Sequence, residues 1–323
     1  MKRLSVLLAV LLLGTHFALP VAAADDYPQR PVTLVVPWAA GGNTDAVSRV
    51  IASALGARLG KSMVVENRAG ANGQIGAASV ARAAPDGYTL LVASAETHSI
   101  TSPSRNMPYE PLKVFEAIGP FAINPFMIVA RAGLPVQDVK SLVAYARSHP
   151  GKLTYGSWGT GSTGQIAMEM FKAEAGIDVL HVPFNGTAPA ESALLGEHID
   201  LLIMPVGRAA AVRPSGKINV LGAMTAARTD LMPDIPTLRD AGYANVVAAN
   251  WFGLVAPAGT PAAIIARVSA ALDAVLTQPE LQAAFRARGV EMMKASPPDF
   301  LRFIADEQVR WSSTVIKANI RFD

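Results

Sequence analysis

Residues 154–171 read TYGSWGTGSTGQIAMEMF and carry Gly159, Gly161 and Gly164 in the order G-x-G-x-x-G. A short strand over 153–155 precedes them, and helical spacing runs from 165 to about 175, where Gly176 stops it. Strand, glycine loop and helix open a βαβ unit, and the question is what the loop holds. The same order occurs earlier. Val32–Val36 is an apolar run too short for a helix and bounded by Pro37, hence a buried strand. A loop over 39–43 follows, then Thr44 as N-cap of a helix from 45 to about 59, ended by Gly60.

Both units continue alike. The first adds a strand at 63–66, a glycine-rich loop at 67–73, a helix near 75–82 and a strand at 88–93. The second adds a strand at 179–183, a helix near 190–195 and a strand at 199–203. Alternating strands and helices imply parallel sheets with right-handed crossovers, so the fold class expected is α/β with two lobes. Extended segments at 219–224 and 251–255 follow, then helices at 261–276, 279–288 and from 297 on. The last carries Phe300, Leu301, Ile304, Trp311 and Val315 as a packing stripe.

The N-terminal residues narrow the function. Met1-Lys2-Arg3, an apolar run over 4–13 and the small residues Ala22-Ala23-Ala24 predict a secretory signal peptide over 1–24 and a periplasmic product. The run falls short of the roughly 20 residues a membrane span needs. With no cysteine, the chain offers no disulfide, thiolate metal site or lipid-attachment residue. Of 28 Lys+Arg and 25 Asp+Glu, Lys2 and Arg3 leave with the leader, so the mature balance is 26 against 25. No basic cluster marks a nucleic-acid face.

Chemistry-bearing motifs fail in turn. A dinucleotide fold wants an acid at the far end of the second strand. Here Asp178 opens that strand and Phe184-Asn185 closes it, so NAD is not expected and no cofactor is assigned. The nucleophile elbow G-x-S-x-G also fails, because Thr160 precedes Ser162 and Tyr155 precedes Ser157 by two residues. His149, His181 and His198 lack metal-ligand spacing, while His98 follows a strand end and is expected at the cleft. What remains is anion binding. Loops at the carboxyl ends of strands meet helix N-termini, whose free N–H groups and dipole suit a small anion. One loop is Gly41, Gly42, Asn43 and Thr44, preceded by Trp38 and Ala40; the other is Gly159, Thr160, Gly161, Ser162 and Thr163, preceded by Ser157 and Trp158. Asp45 is expected to brace the first, and Glu66 and Asn67 to tie down the glycine loop Gly70–Gly73.

The stretches PVTLVVPWAAGGNTDAVSRV, VVENRAGANGQIGAASVARAAPDGYTLLVAS, MPYEPLKVF, PGKLTYGSWGTGSTGQIA, HVPFNGTAPAESALLGEHIDL and WFGLVAPAGTP span nearly the whole mature chain. In them the chain resembles the periplasmic solute receptors of tripartite tricarboxylate transporters, the Bug family. The resemblance implies a type II periplasmic-binding-protein fold with a strand hinge. Lobe 1 would comprise 25–126 plus 251–323, and lobe 2 would comprise 127–250. It also implies a monomeric receptor, not an enzyme. Such a receptor holds one carboxylate of a small ligand between loops 39–45 and 157–163 and delivers it to a membrane permease.

Departures from the family bear on specificity. Trp158 stands where many relatives carry a small residue, Phe184 where Tyr is common, and Arg208 in a loop that often lacks one. Trp158 and Phe184 are therefore expected to wall the site and Arg208 to pair with a second carboxylate. That favours an aromatic dicarboxylate such as terephthalate or phthalate. The alternatives are an aliphatic di- or tricarboxylate or an amino acid, a receptor that presents ligand to a sensor, and, least favoured, an exported α/β enzyme.

Overall fold

The computed structural model describes residues 26–100, 107–317 and 320, so the expected signal peptide lies outside the described residues. In the first lobe β1 (Val32–Val36) lies between β2 (Met63–Asn67) and β3 (Thr89–Ser94), parallel to both. Its residues are nearly all buried, as expected for an apolar run covered on both faces by crossover helices. Those helices are α1 (Asn43–Leu59) and α2 (Gln74–Ala81). β3 then pairs antiparallel with β9 (Ala249–Pro257), so the chain returns from the second lobe into the middle of the first sheet.

The strand that joins the lobes is β4 (Phe115–Arg131), which the sequence reading did not anticipate. Its first part pairs with β9, from Phe115 opposite Pro257 to Pro125 opposite Ala249. From Phe126 on, its partners are β7 (Leu201–Pro205) and β8 (Ile218–Ala223). Pro120, Pro125 and Gly119 argue against a central strand. The chain accommodates the first two-thirds of this stretch with register shifts between Ala117 and Gly119 and between Pro120 and Ala122, which bend the strand. In the second lobe β5 (Thr154–Ser157) is parallel to β6 (Leu180–Pro183) and β7. The helix α4 (Val139–Ser148), also unanticipated, starts with a capping box in which Asp138 accepts from the Ser141 N–H at 2.7 Å.

Beyond β5 lies α5 (Thr163–Ala175), followed by α6 (Thr187–Leu195) between β6 and β7, and α7 (Val206–Val212) after β7. The chain closes with α8 (Ala262–Val275), α9 (Pro279–Arg286) and α10 (Pro297–Lys317). On one face of the first sheet, Val47, Ile51 and Leu55 of α1 pack with Leu272 and Val275 of α8. On the other, Phe300, Ile304, Trp311 and Val315 of α10 are buried as the stripe predicts, while Leu301 stays exposed. This second core runs on through Trp251, Phe126 and Trp158 to Phe171 in the other lobe, so apolar packing crosses the lobe boundary.

Candidate functional site

The first-lobe loop ends at a bare helix start. α1 begins at Asn43 with Gly42 as N-cap, two residues ahead of the expected Thr44 cap, and the glycine leaves the end without a side-chain acceptor. Thr44 instead offers its carbonyl to Ser48 Oγ at 2.6 Å. Asp45 braces the loop as expected: it accepts from the Gly41 N–H at 3.0 Å, Arg49 Nε at 3.0 Å and Asn67 Nδ2 at 2.9 Å. Burial pushes its carboxyl up, but the bonds from Arg49, Gly41 and Asn67 outweigh that and hold it below the usual carboxylate range. Asn67 also reaches the Trp38 carbonyl at 2.9 Å, so it ties down this loop and not Gly70–Gly73; Glu66 pairs with Arg68. Asn43 Nδ2 and Trp38 Nε1 are buried donors without an acceptor. Two orphan donors beside an uncapped helix start make a place for an acceptor ligand.

The second-lobe loop is built the other way. Its groups are consumed by protein. Gly159 N–H donates to Ser157 Oγ, Gly161 N–H to Gln165 Oε1, and Ser162 N–H to the Gly159 carbonyl. Ser162 Oγ caps α5 by accepting from the Gln165 N–H. Ser157 Oγ meets His181 Nε2 at 2.7 Å, and burial pushes that imidazole down to about 4. The Thr160 carbonyl accepts from Asn72 of the first lobe. Thr163 donates through both N–H and Oγ1 to Glu96, a fully buried carboxylate of the first lobe. Trp158 Nε1 donates to the same carboxylate at 3.3 Å, and its ring meets Phe126 edge-on at 5.4 Å. Gly164 makes room for that ring, since a Cβ there would sit 2.5 Å from it. The glycine pattern thus forms a tight packed turn in which the N–H groups of Gly159, Gly161, Ser162 and Thr163 are paired within the protein.

A cavity of about 560 Å³ lies between the lobes. Gly41, Gly42 and Asn43 line one side, Trp158, Leu202, Ile203 and Met204 supply apolar wall, and Glu191, Arg208 and Arg288 provide charge. Five of the expected residues therefore meet here: Gly41, Gly42, Asn43, Trp158 and Arg208. Ala40 points to solvent, Trp38 packs under the first loop, and Phe184 packs on the second-lobe core. His98 corrects the expectation most sharply. It is buried against Phe115 and Trp251, with Nδ1 at 2.9 Å from Thr97 Oγ1, and burial drives its pKa down to about 3.

Arg208 does not stand free either. Its Nε donates to Glu191 at 2.6 Å and its Nη2 to the other carboxylate oxygen, a fork-on-fork pair. Arg288, by contrast, donates to the Ala284 carbonyl at 2.8 Å and lines the cavity from the first lobe. Arg288, Glu191 and Glu96 were missed in the sequence, because each acts across a distance in the chain that no local spacing encodes. A larger groove of about 630 Å³ along α1 and β2 is lined by Gly56, Gly60 and Met63. It lies away from the loops at the strand ends and collects no orphan donor.

Comparison with known proteins decides the family. The profile described as "Tripartite tricarboxylate transporter family receptor" matches residues 47–320. The chain belongs to that family. It is a solute-binding receptor of periplasmic type, not an enzyme. The receptor is 33% identical over 318 residues to Protein BugT of Bordetella pertussis (strain Tohama I), covering 98% of this chain and 97% of that one. Among solved structures, R. palustris Rpa4515 with adipate is 34% identical with a TM-score of 0.86, covering 92% of the receptor and 99% of that chain. MatC from Rhodopseudomonas palustris with bound malate is 32% identical with a TM-score of 0.82, covering 90% and 100%.

Proposed function

We propose that the receptor binds a dicarboxylate with an apolar middle and delivers it to the permease of a tripartite tricarboxylate transporter. One carboxylate takes the donors of Gly42, Asn43 and the α1 N-terminus; the other meets Arg288 at the far side. The observation that carries this is the orphaned Asn43 Nδ2 beside the uncapped helix start, in a cavity whose apolar wall includes Leu202, Ile203, Met204 and Trp158. A buried donor without an acceptor costs about 1–3 kcal/mol, which a ligand carboxylate recovers. Arg208 is assigned to Glu191 and not to the ligand. The likeness to receptors solved with adipate and with malate supports the ligand class.

An aromatic diacid such as terephthalate or phthalate is the narrower version. It loses one support, since Phe184 is away from the cavity, and keeps Trp158 as a ring surface. Export by the 1–24 signal peptide and lobes divided at 126 and 251 belong to the same proposal. The change of β4 partners after Pro125 supports that division. The test is calorimetry and thermal shift on the refolded, ligand-stripped receptor with adipate, terephthalate, phthalate, malate, citrate, glutamate and benzoate. A ligand that binds only the folded state at a hundredfold excess over Kd adds about 2.7 kcal/mol of stability. A shift with diacids and little with benzoate is expected. Citrate or glutamate alone would replace the ligand class, and no shift with any acid would remove the carboxylate.

A further inference from the structure

We propose that Glu96 is an interlobe latch, a built-in carboxylate that occupies the α5 N-terminus and ties the second lobe to the first. The inference does not depend on which solute fills the cavity. Glu96 sits in the turn Ala95–Ser99 that ends β3, and its side chain is fully buried. Its two oxygens share donors from several elements, and Asn250 Nδ2 reaches both, Oε1 at 3.2 Å. Oε1 accepts from the second lobe: Thr163 Oγ1 at 2.7 Å, the Thr163 N–H at 3.3 Å and Trp158 Nε1 at 3.3 Å. Oε2 accepts from Ser94 Oγ at 3.0 Å and from Asn250 Nδ2, on the returning strand β9, at 2.9 Å.

These donors are neutral, so the charge is answered by oriented dipoles: two side-chain N–H groups, hydroxyls and the start of a 13-residue helix. Only an acceptor-only group fits them. A glutamine would aim its own N–H₂ at donors on one side or the other. Two flanking contacts fix the spacing. Asn72 of the first lobe donates to the Thr160 carbonyl, and Gly207 lies so near Gly289 that a Cβ would stand 2.0 Å from the Gly289 Cα. The α5 helix start, where an incoming anion would otherwise dock, is therefore taken by the protein. Lobe association relies on the Glu96 carboxylate.

The test uses the ligand-stripped full chain and reads small-angle scattering and tryptophan emission without any solute, so failure of the dicarboxylate reading leaves it untouched. Wild type is expected to be compact. Glu96→Gln and Glu96→Ala should raise the radius of gyration and red-shift the emission as Trp158 loses its acceptor. Formate should restore compactness to Glu96→Ala. Thr163→Val guards against simple misfolding, because it keeps the carboxylate and removes one 2.7 Å bond; it should expand the chain in the same direction while circular dichroism stays unchanged. A Glu96→Gln protein as compact as wild type would overturn the latch, as would a wild type that is expanded until solute is added.

Discussion

Two helix starts, one in each lobe, have opposite fates. Each follows a parallel strand and a glycine-bearing loop, and each presents the positive end of a helix. At α5 the end is finished internally: Ser162 caps it, Glu96 neutralises it, and Trp158 covers it. At α1 it is left open, with a glycine N-cap and an Asn43 amide that has no acceptor. The difference teaches that a helix N-terminus is an offer of binding, and that a carboxylate from a remote turn can accept the offer before any solute does.

The comparison breaks or sharpens by measurement. The largest effect is expected from Glu96→Ala, which strands buried donors at the α5 end and should cost roughly 3 kcal/mol in urea unfolding. A loss under about 1 kcal/mol, the worth of an ordinary neutral hydrogen bond, would put the two ends on equal footing. Acid comes next. His98 and His181 are neutral in the fold, with burial holding them near 3 and 4, whereas an unfolded imidazole takes its proton near pH 6.5. Below that pH the unfolded chain binds more protons, so stability falls with acid by up to about 1.4 kcal/mol per pH unit for each group. Asp45 runs on a lower window: its depressed carboxyl stabilises the fold above the ordinary carboxylate pKa and loses that contribution only as pH falls below it. Equilibrium unfolding from pH 7 to 5 should therefore weaken wild type, and His98→Phe should flatten part of the slope.

At the α1 end, Asn43→Ala removes the unpaired donor, so it should stabilise the ligand-free protein by up to about 1–3 kcal/mol yet weaken diacid binding about tenfold by calorimetry, the cost of one charge-assisted bond. Equal binding would move the carboxylate elsewhere. The smallest effect separates the arginines. Arg288→Ala should weaken adipate more than the matching monoacid, while the double variant Arg208→Ala with Glu191→Ala, which removes the half-exposed arginine together with its mostly buried partner, should change either by less than about threefold. The reverse ranking would restore Arg208 to the ligand.

Much of the fold was legible locally. Val32–Val36 and the strands flanking it declared themselves by short apolar runs between turns, and the α10 stripe by its spacing. β4 did not, because Gly119, Pro120 and Pro125 are poor strand residues, and only pairing with β9, β7 and β8 makes the stretch extended. α7 was hidden for a related reason: a seven-residue helix carries too few turns to show a period. Within the site, Gly41, Gly42 and Asn43 could be found from strand–loop–helix order alone. The stretch around Glu96 was in view as a strand end, but its partners Thr163 and Asn250 lie far along the chain.

What the sequence determined by itself was the grammar: two βαβ units, the loops at their strand ends and a nearly even charge balance. The units and loops rest on residues within a few positions of one another, where periodicity and backbone preference act, and the charge balance on composition. Tertiary structure decided which of two similar helix starts stays open, that Arg208 is paired with Glu191 while Arg288 makes no ion pair among the described residues, and that Trp158 serves a carboxylate of the protein itself. Those outcomes depend on burial and on donors meeting acceptors across the lobes, and hydrogen bonds and charge pairs of that kind are set by distance in space, which no local spacing records.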